Sequence, residues 1–133
     1  MVAGKVATDL ALQSSEGFVF VRPGLHLYSR VVGEGGEGDA ETVIIPNASW
    51  LADAFLPLAG STGARRLVFY DPRSRGRSSA VSNPRQLTLE EDVADLEAVR
   101  RYYGISRFSL IGASYHAAIT ALYGSPVRVV GHE

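Results

Sequence analysis

The sequence predicts an α/β fold, an antiparallel β-hairpin followed by a parallel sheet with helices on both faces. Three observations carry this. Two β-rich segments, 18–21 and 25–32, flank Pro23-Gly24, a strong turn signal. Continuous apolar runs at 42–46 and 66–71, and a further strand signal at 107–112, alternate with helical patterns. The helix that begins after Thr88 has an apolar stripe of Leu89, Val93, Leu96, Val99 and Tyr103, at steps of three and four.

Taken in order, residues 1–16 read as a tail or frayed helix, and 17–133 as one core domain. The hairpin occupies "FVFV" and "LHLYSRVV", where His26 alternates with apolar neighbours and reads as a surface or satisfied histidine. "GEGGEGD" (33–39) is a loop; it lacks the Lys-Ser/Thr ending of a phosphate-binding loop and precedes a strand. "TVIIP" is a strand buried on both faces, and 50–60 is a short helix ending near Gly60. "RLVFYD" is the next strand, followed by a polar loop in which Arg73, Arg75 and Arg77 read as solvated and salt-bridged. Thr88 and Glu91 form a capping box, acids fill the first turn of the next helix, Arg100 and Arg101 its last, and Gly104 ends it. Tyr102 and Tyr103 read as helix-end contacts. "SYHAAITALYG" (114–124) is a small-residue, mostly buried helix, and "VRVV" (127–130) a last strand.

Composition narrows the function. The net charge is −1, with no block of either sign, which argues against a nucleic-acid binder. There is no cysteine, and the three histidines (His26, His116, His132) have no metal-ligand spacing, so no metal site and no cofactor are expected. No apolar run is long enough to span a bilayer and no signal peptide is visible, so the expectation is a cytoplasmic protein without membrane attachment. Oligomeric state is not legible.

Ligands of such sheets bind at the carboxyl ends of the strands, where "IIPNASW", "YDPRSRGRSS" and "IGASYH" emerge. Ser114 follows a strand and opens a helix. It is either a helix cap or a nucleophile lifted clear of the sheet, with the Tyr115 N–H at a helix N-terminus suited to an oxyanion.

Together, "TVIIPNASWLADAF", "LVFYDPRSRGRSS" and "LIGASYHAAI" resemble the N-terminal half of the α/β-hydrolase superfamily, serine-nucleophile type, over roughly residues 17–131. The second segment is similar to that family's Tyr-Asp-x-Arg-Gly-x-Gly-x-Ser pattern, and the third to its nucleophile elbow. The resemblance implies Ser114 as nucleophile, Tyr115 as one backbone oxyanion donor and Ala48 as the other, with Asn47 the alternative because Pro46-Asn47 stands where His-Gly is common. It implies that Asp71 organises its own loop, and a sheet order of 1-2-4-3-5-6. Asn47, Trp50 and His116 are candidate pocket lining, and Trp50 is equally a helix staple. His116 replaces the second glycine of Gly-x-Ser-x-Gly; two residues from Ser114, it is badly placed as the base.

In this family the triad acid and histidine follow the serine. Only nineteen residues follow Ser114 here, so the expectation is a truncated or partial reading frame that lacks both. A makeshift Ser114–His132–Glu133 site is conceivable but poorly oriented. The expected function is hydrolysis of an ester, amide or related acyl bond in a small-molecule substrate, with residues 1–133 essentially inactive as they stand. The alternatives are a non-catalytic hydrolase-like binding module and a gene remnant.

Overall fold

A computed structural model describes residues 14–33, 41–57 and 65–124. Residues 34–39 of the glycine-rich loop, Gly60, the "VRVV" segment, His132, Glu133 and the Trp50 side chain lie outside the described residues.

Strands β1 (Ser14–Arg22) and β2 (Leu25–Val32) form the expected hairpin around Pro23-Gly24, with Gly24 at φ +82° as the turn requires. β1 starts at Ser14, so the last three residues read as tail belong to the sheet. Next come β3 (Glu41–Pro46), α1 (Ala48–Phe55), β4 (Arg65–Tyr70), a 3₁₀ turn (Pro84–Gln86), α2 (Leu89–Tyr102), β5 (Ser109–Leu110) and α3 (Tyr115–Tyr123). α1 starts and ends earlier than the 50–60 expected, and β5 pairs over two residues of the six expected.

The sheet runs β1-β2-β4-β3-β5, the resemblance's order for its first five strands. β2 pairs antiparallel with β4, while β3 pairs parallel with both β4 and β5. Successive side chains of β3 and β4 point to opposite faces, so each strand feeds two cores. Val43, Ile45, Leu67 and Phe69 pack with Ala48 and Ala52 of α1. Ile44, Val68 and Tyr70 pack with Val93, Leu96 and Val99 of α2 and with Ile119 and Tyr123 of α3. The continuous apolar runs thus mark strands covered on both sides.

Thr88 caps α2 as expected, its Oγ1 accepting from the Glu91 N–H at 3.1 Å. The reciprocal arm of the capping box is replaced by an ion pair, Glu91 reaching Arg73 at 3.3 Å. Among the described residues no helix is long and apolar enough to cross a membrane, and no group of three or more His, Cys, Asp or Glu is placed to hold a metal ion.

Candidate active site

β3 and β5 are neighbours, yet the chain leaves them toward opposite faces, into α1 after β3 and into α3 after β5. Their carboxyl ends therefore form a topological switch point, the place where open α/β sheets bind ligands. The turn after β3 carries Asn47–Ser49, and the turn after β5 carries Gly112–Tyr115.

In the first turn Asn47 has φ 92° and ψ 59°, a left-handed conformation that asparagine tolerates better than most residues. Its N–H donates to the Tyr70 carbonyl at 2.6 Å. The Ser49 N–H donates to Asp71 Oδ1 at 2.9 Å. Between them the Ala48 N–H has no partner among the described residues. Asn47 thus has its N–H committed, and the free donor of this turn belongs to Ala48.

Asp71, 1% exposed, is the brace behind that turn. Its carboxylate accepts from the Ser49 N–H, from Ser49 Oγ at 2.6 Å and from the Arg77 N–H at 3.1 Å. The loop must wrap closely around it. A Cβ on Gly76, which has φ +52°, would lie 2.2 Å from Asp71 Oδ2. Ser78 Oγ donates to the Asp71 carbonyl and accepts from the Tyr28 N–H, and the Asp71 N–H donates to the Tyr28 carbonyl, which ties the loop to β2. Asp71 does organise its own loop.

In the second turn Ser114 has φ 59° and ψ −131°, which costs a non-glycine residue about 1–3 kcal/mol. Its hydroxyl is exposed and makes no capping bond, so the helix-cap reading fails on geometry. The His116 N–H donates to the Ala113 carbonyl and the Ala117 N–H to the Ser114 carbonyl, which leaves the Tyr115 N–H without a partner among the described residues. Gly112 permits the sharp turn. A Cβ there would lie 2.5 Å from the His116 carbonyl oxygen and 2.8 Å from Thr120 side-chain atoms.

His116 packs edge-on to Tyr115, with ring centroids 5.6 Å apart. Neither ring nitrogen has a hydrogen-bond partner, so the imidazole does not bond Ser114. Burial, and then the charge of Arg75, pushes it below its ordinary pKa, toward the neutral form. His26 lies on the exposed hairpin face against Phe20.

The loop arginines correct the sequence reading. Arg73, 1% exposed, is not solvated: Nε and Nη2 clamp both Asp95 oxygens at 2.7 Å, and Nη1 donates to the Gln86 carbonyl. Asp95 holds this guanidinium above its ordinary pKa, burial opposing. Arg75 pairs with buried Asp92 at 3.0 Å and lies over the Tyr115 ring, 5.0 Å from its centroid. Only Arg77 behaves as expected; it is exposed and pairs with Glu16 at 3.7 Å. A signal for the buried pairs was present, because Asp92 and Asp95 sit along the apolar stripe of α2, where a carboxylate needs a cation. A 210 Å³ cavity also opens beside the first turn, lined by Tyr28, Arg30, Ala48, Ser49, Asp53 and Arg77. Its charges are ion-paired across its walls, Arg30 with Asp53 and Arg77 with Glu16.

No protein-family model matches the sequence. A proline iminopeptidase of Lactiplantibacillus plantarum is 29% identical over 81% of this chain and 39% of its own length. Among solved structures, a proline iminopeptidase-related protein from Thermus thermophilus superposes with TM-score 0.70 at 23% identity, over 83% of this chain and 39% of that one. An α/β hydrolase from Novosphingobium aromaticivorans gives TM-score 0.67 at 27% identity, over 86% and 41%. The chain has the α/β-hydrolase fold over the N-terminal part of that domain and is similar in sequence to members of that group. It spans about two fifths of the length of these relatives.

Proposed function

We propose that Ser114 is the nucleophile of an acyl hydrolase acting on an ester, amide or related bond of a small molecule. The observation that carries this reading is the pair of unpartnered N–H groups, Ala48 and Tyr115, on the two turns of the switch point that holds a strained, exposed Ser114. In the reaction a base takes the Ser114 hydroxyl proton and Oγ bonds the acyl carbon. The carbonyl oxygen becomes an oxyanion, which the two N–H groups receive. Collapse expels the alcohol or amine, which takes a proton, and water then releases the acid from the acyl-enzyme. The likeness to the Lactiplantibacillus proline iminopeptidase favours an amide within this class.

Among the described residues no imidazole hydrogen-bonds Ser114. Loss of the histidine alone costs serine hydrolases on the order of 10⁶ in kcat. The described residues by themselves are therefore proposed to turn over substrate negligibly. The test is fluorophosphonate labelling of the endogenous protein, with its intact mass measured alongside and Ser114→Ala as control. The reading expects one adduct that the substitution abolishes. An endogenous protein that takes no label, or labels equally after Ser114→Ala, overturns it and favours the non-catalytic binding module.

A further inference from the structure

α3 carries two tyrosines eight residues apart, and each phenol donates to a carboxylate of α2. At the site end Tyr115 donates to Asp92 Oδ2 at 2.9 Å. At the far end Tyr123 donates to Glu97 Oε1 at 2.7 Å. The two clasps are chemically alike but differently placed. Tyr123 is buried among apolar residues, whereas Tyr115 is 46% exposed and follows the strained Ser114 directly.

An exposed tyrosine needs a reason to be held. Asp92 is 1% exposed and lies in the first turn of α2, with Arg75 Nη1 on its Oδ1 and the Tyr115 phenol on its Oδ2. Arg75 also covers the Tyr115 ring. The side chain of Tyr115 is thus fixed on its edge by a charge-assisted hydrogen bond and on its face by a cation. The backbone N–H of the same residue is the unpartnered donor of the second turn.

We infer that Asp92 and Arg75 are positioning residues for the elbow, holding the Tyr115 N–H and the Ser114 hydroxyl in place through the Tyr115 side chain. The inference rests on the proposed role of Ser114 for its chemical readout, and on geometry alone for its spectroscopic one. Asp92 and Arg75 touch no reacting atom. They restrain a turn whose backbone is costly to hold and whose first helical residue has no N–H bond of its own.

The far clasp supplies the control. Tyr115→Phe, Tyr123→Phe and Asp92→Asn are made in the endogenous protein. Two quantities are measured, the fluorophosphonate labelling rate and the backbone ¹⁵N order parameters of positions 114 and 115. The expectation is a roughly tenfold slower labelling and lower order parameters for Tyr115→Phe and Asp92→Asn. Tyr123→Phe should leave both unchanged while lowering Tm about as much as Tyr115→Phe does. Equal effects of Tyr115→Phe and Tyr123→Phe on labelling rate and order parameters, or unchanged order parameters in Tyr115→Phe, overturn the inference. If the parent takes no label, or Ser114→Ala labels as fast as the parent, the nucleophile assignment fails instead, and the order parameters still decide whether Asp92 holds the turn through the Tyr115 phenol.

Discussion

The turn after β3 is held by a carboxylate at close range, and the turn after β5 is held by a phenol at arm's length. Asp71 accepts three hydrogen bonds and reaches the backbone of the first turn directly, at the Ser49 N–H. Asp92 reaches the second turn only through the length of the Tyr115 side chain. A short buried carboxylate with several donors leaves the backbone little freedom, whereas a clasp through a long side chain leaves more. One donor of the candidate site is thus built into the sheet's framework, and the other is steadied from outside it.

The largest effect that would break this contrast is expected at Asp71. Asp71→Ala removes the buried carboxylate that accepts from the part-buried Ser49 and Arg77 N–H groups and should cost about 4 kcal/mol, measured by urea unfolding. A cost near that of an exposed carboxylate would show that the first turn does not depend on it. Gly76→Ala puts a methyl group into the same carboxylate at a positive φ, and about 3 kcal/mol is expected by the same assay. On the elbow side, Gly112→Ala drives α3 off its strand through the His116 carbonyl. A loss of about 2 kcal/mol is expected, with slower labelling of Ser114. A variant of unchanged Tm and rate would mean that the helix need not sit so close.

The smallest effect is one of pH. Glu97 is held down to about 2, chiefly by its bond to Arg100, with help from Tyr123 and Arg101 against burial. A depressed carboxylate contributes stability above its unfolded value and loses it as pH falls toward its folded one. The far clasp should therefore weaken between about pH 4.5 and pH 2, by about 1–2 kcal/mol after solvent screening. Glu97→Gln should flatten the fall of Tm across that range; an unchanged slope would assign the acid sensitivity elsewhere.

Much of this was legible in the sequence, and the reason is locality. The hairpin, the α2 cap and stripe, and the doubly buried strands each announce themselves within a few residues, through turn chemistry and periodicity. Gly112, Ser114 and Asp71 were legible as motif positions, because a tight turn limits which residues can occupy it. What local pattern could not supply was partnership. Arg73 looked solvated since its partner Asp95 lies 22 residues on, and Tyr115 gave no hint of a bond to Asp92, 23 residues back. The shortness of β5 was hidden for the same reason: how far a strand pairs is decided by its neighbour, β3, far upstream.

That pairing has a temporal side. β1 and β2 meet across a two-residue turn and can zip together as soon as both exist. β5 must instead find β3 across the whole of α1, β4 and α2, with only Val43–Ser109 and Ile44–Leu110 in register to reward the search. Contacts that close large loops form late and open early. During synthesis the Asp71-braced turn can therefore be complete while the serine's own turn is still unformed, so among the described strands the pairing beside the serine is the last to mature and the first to be lost under stress.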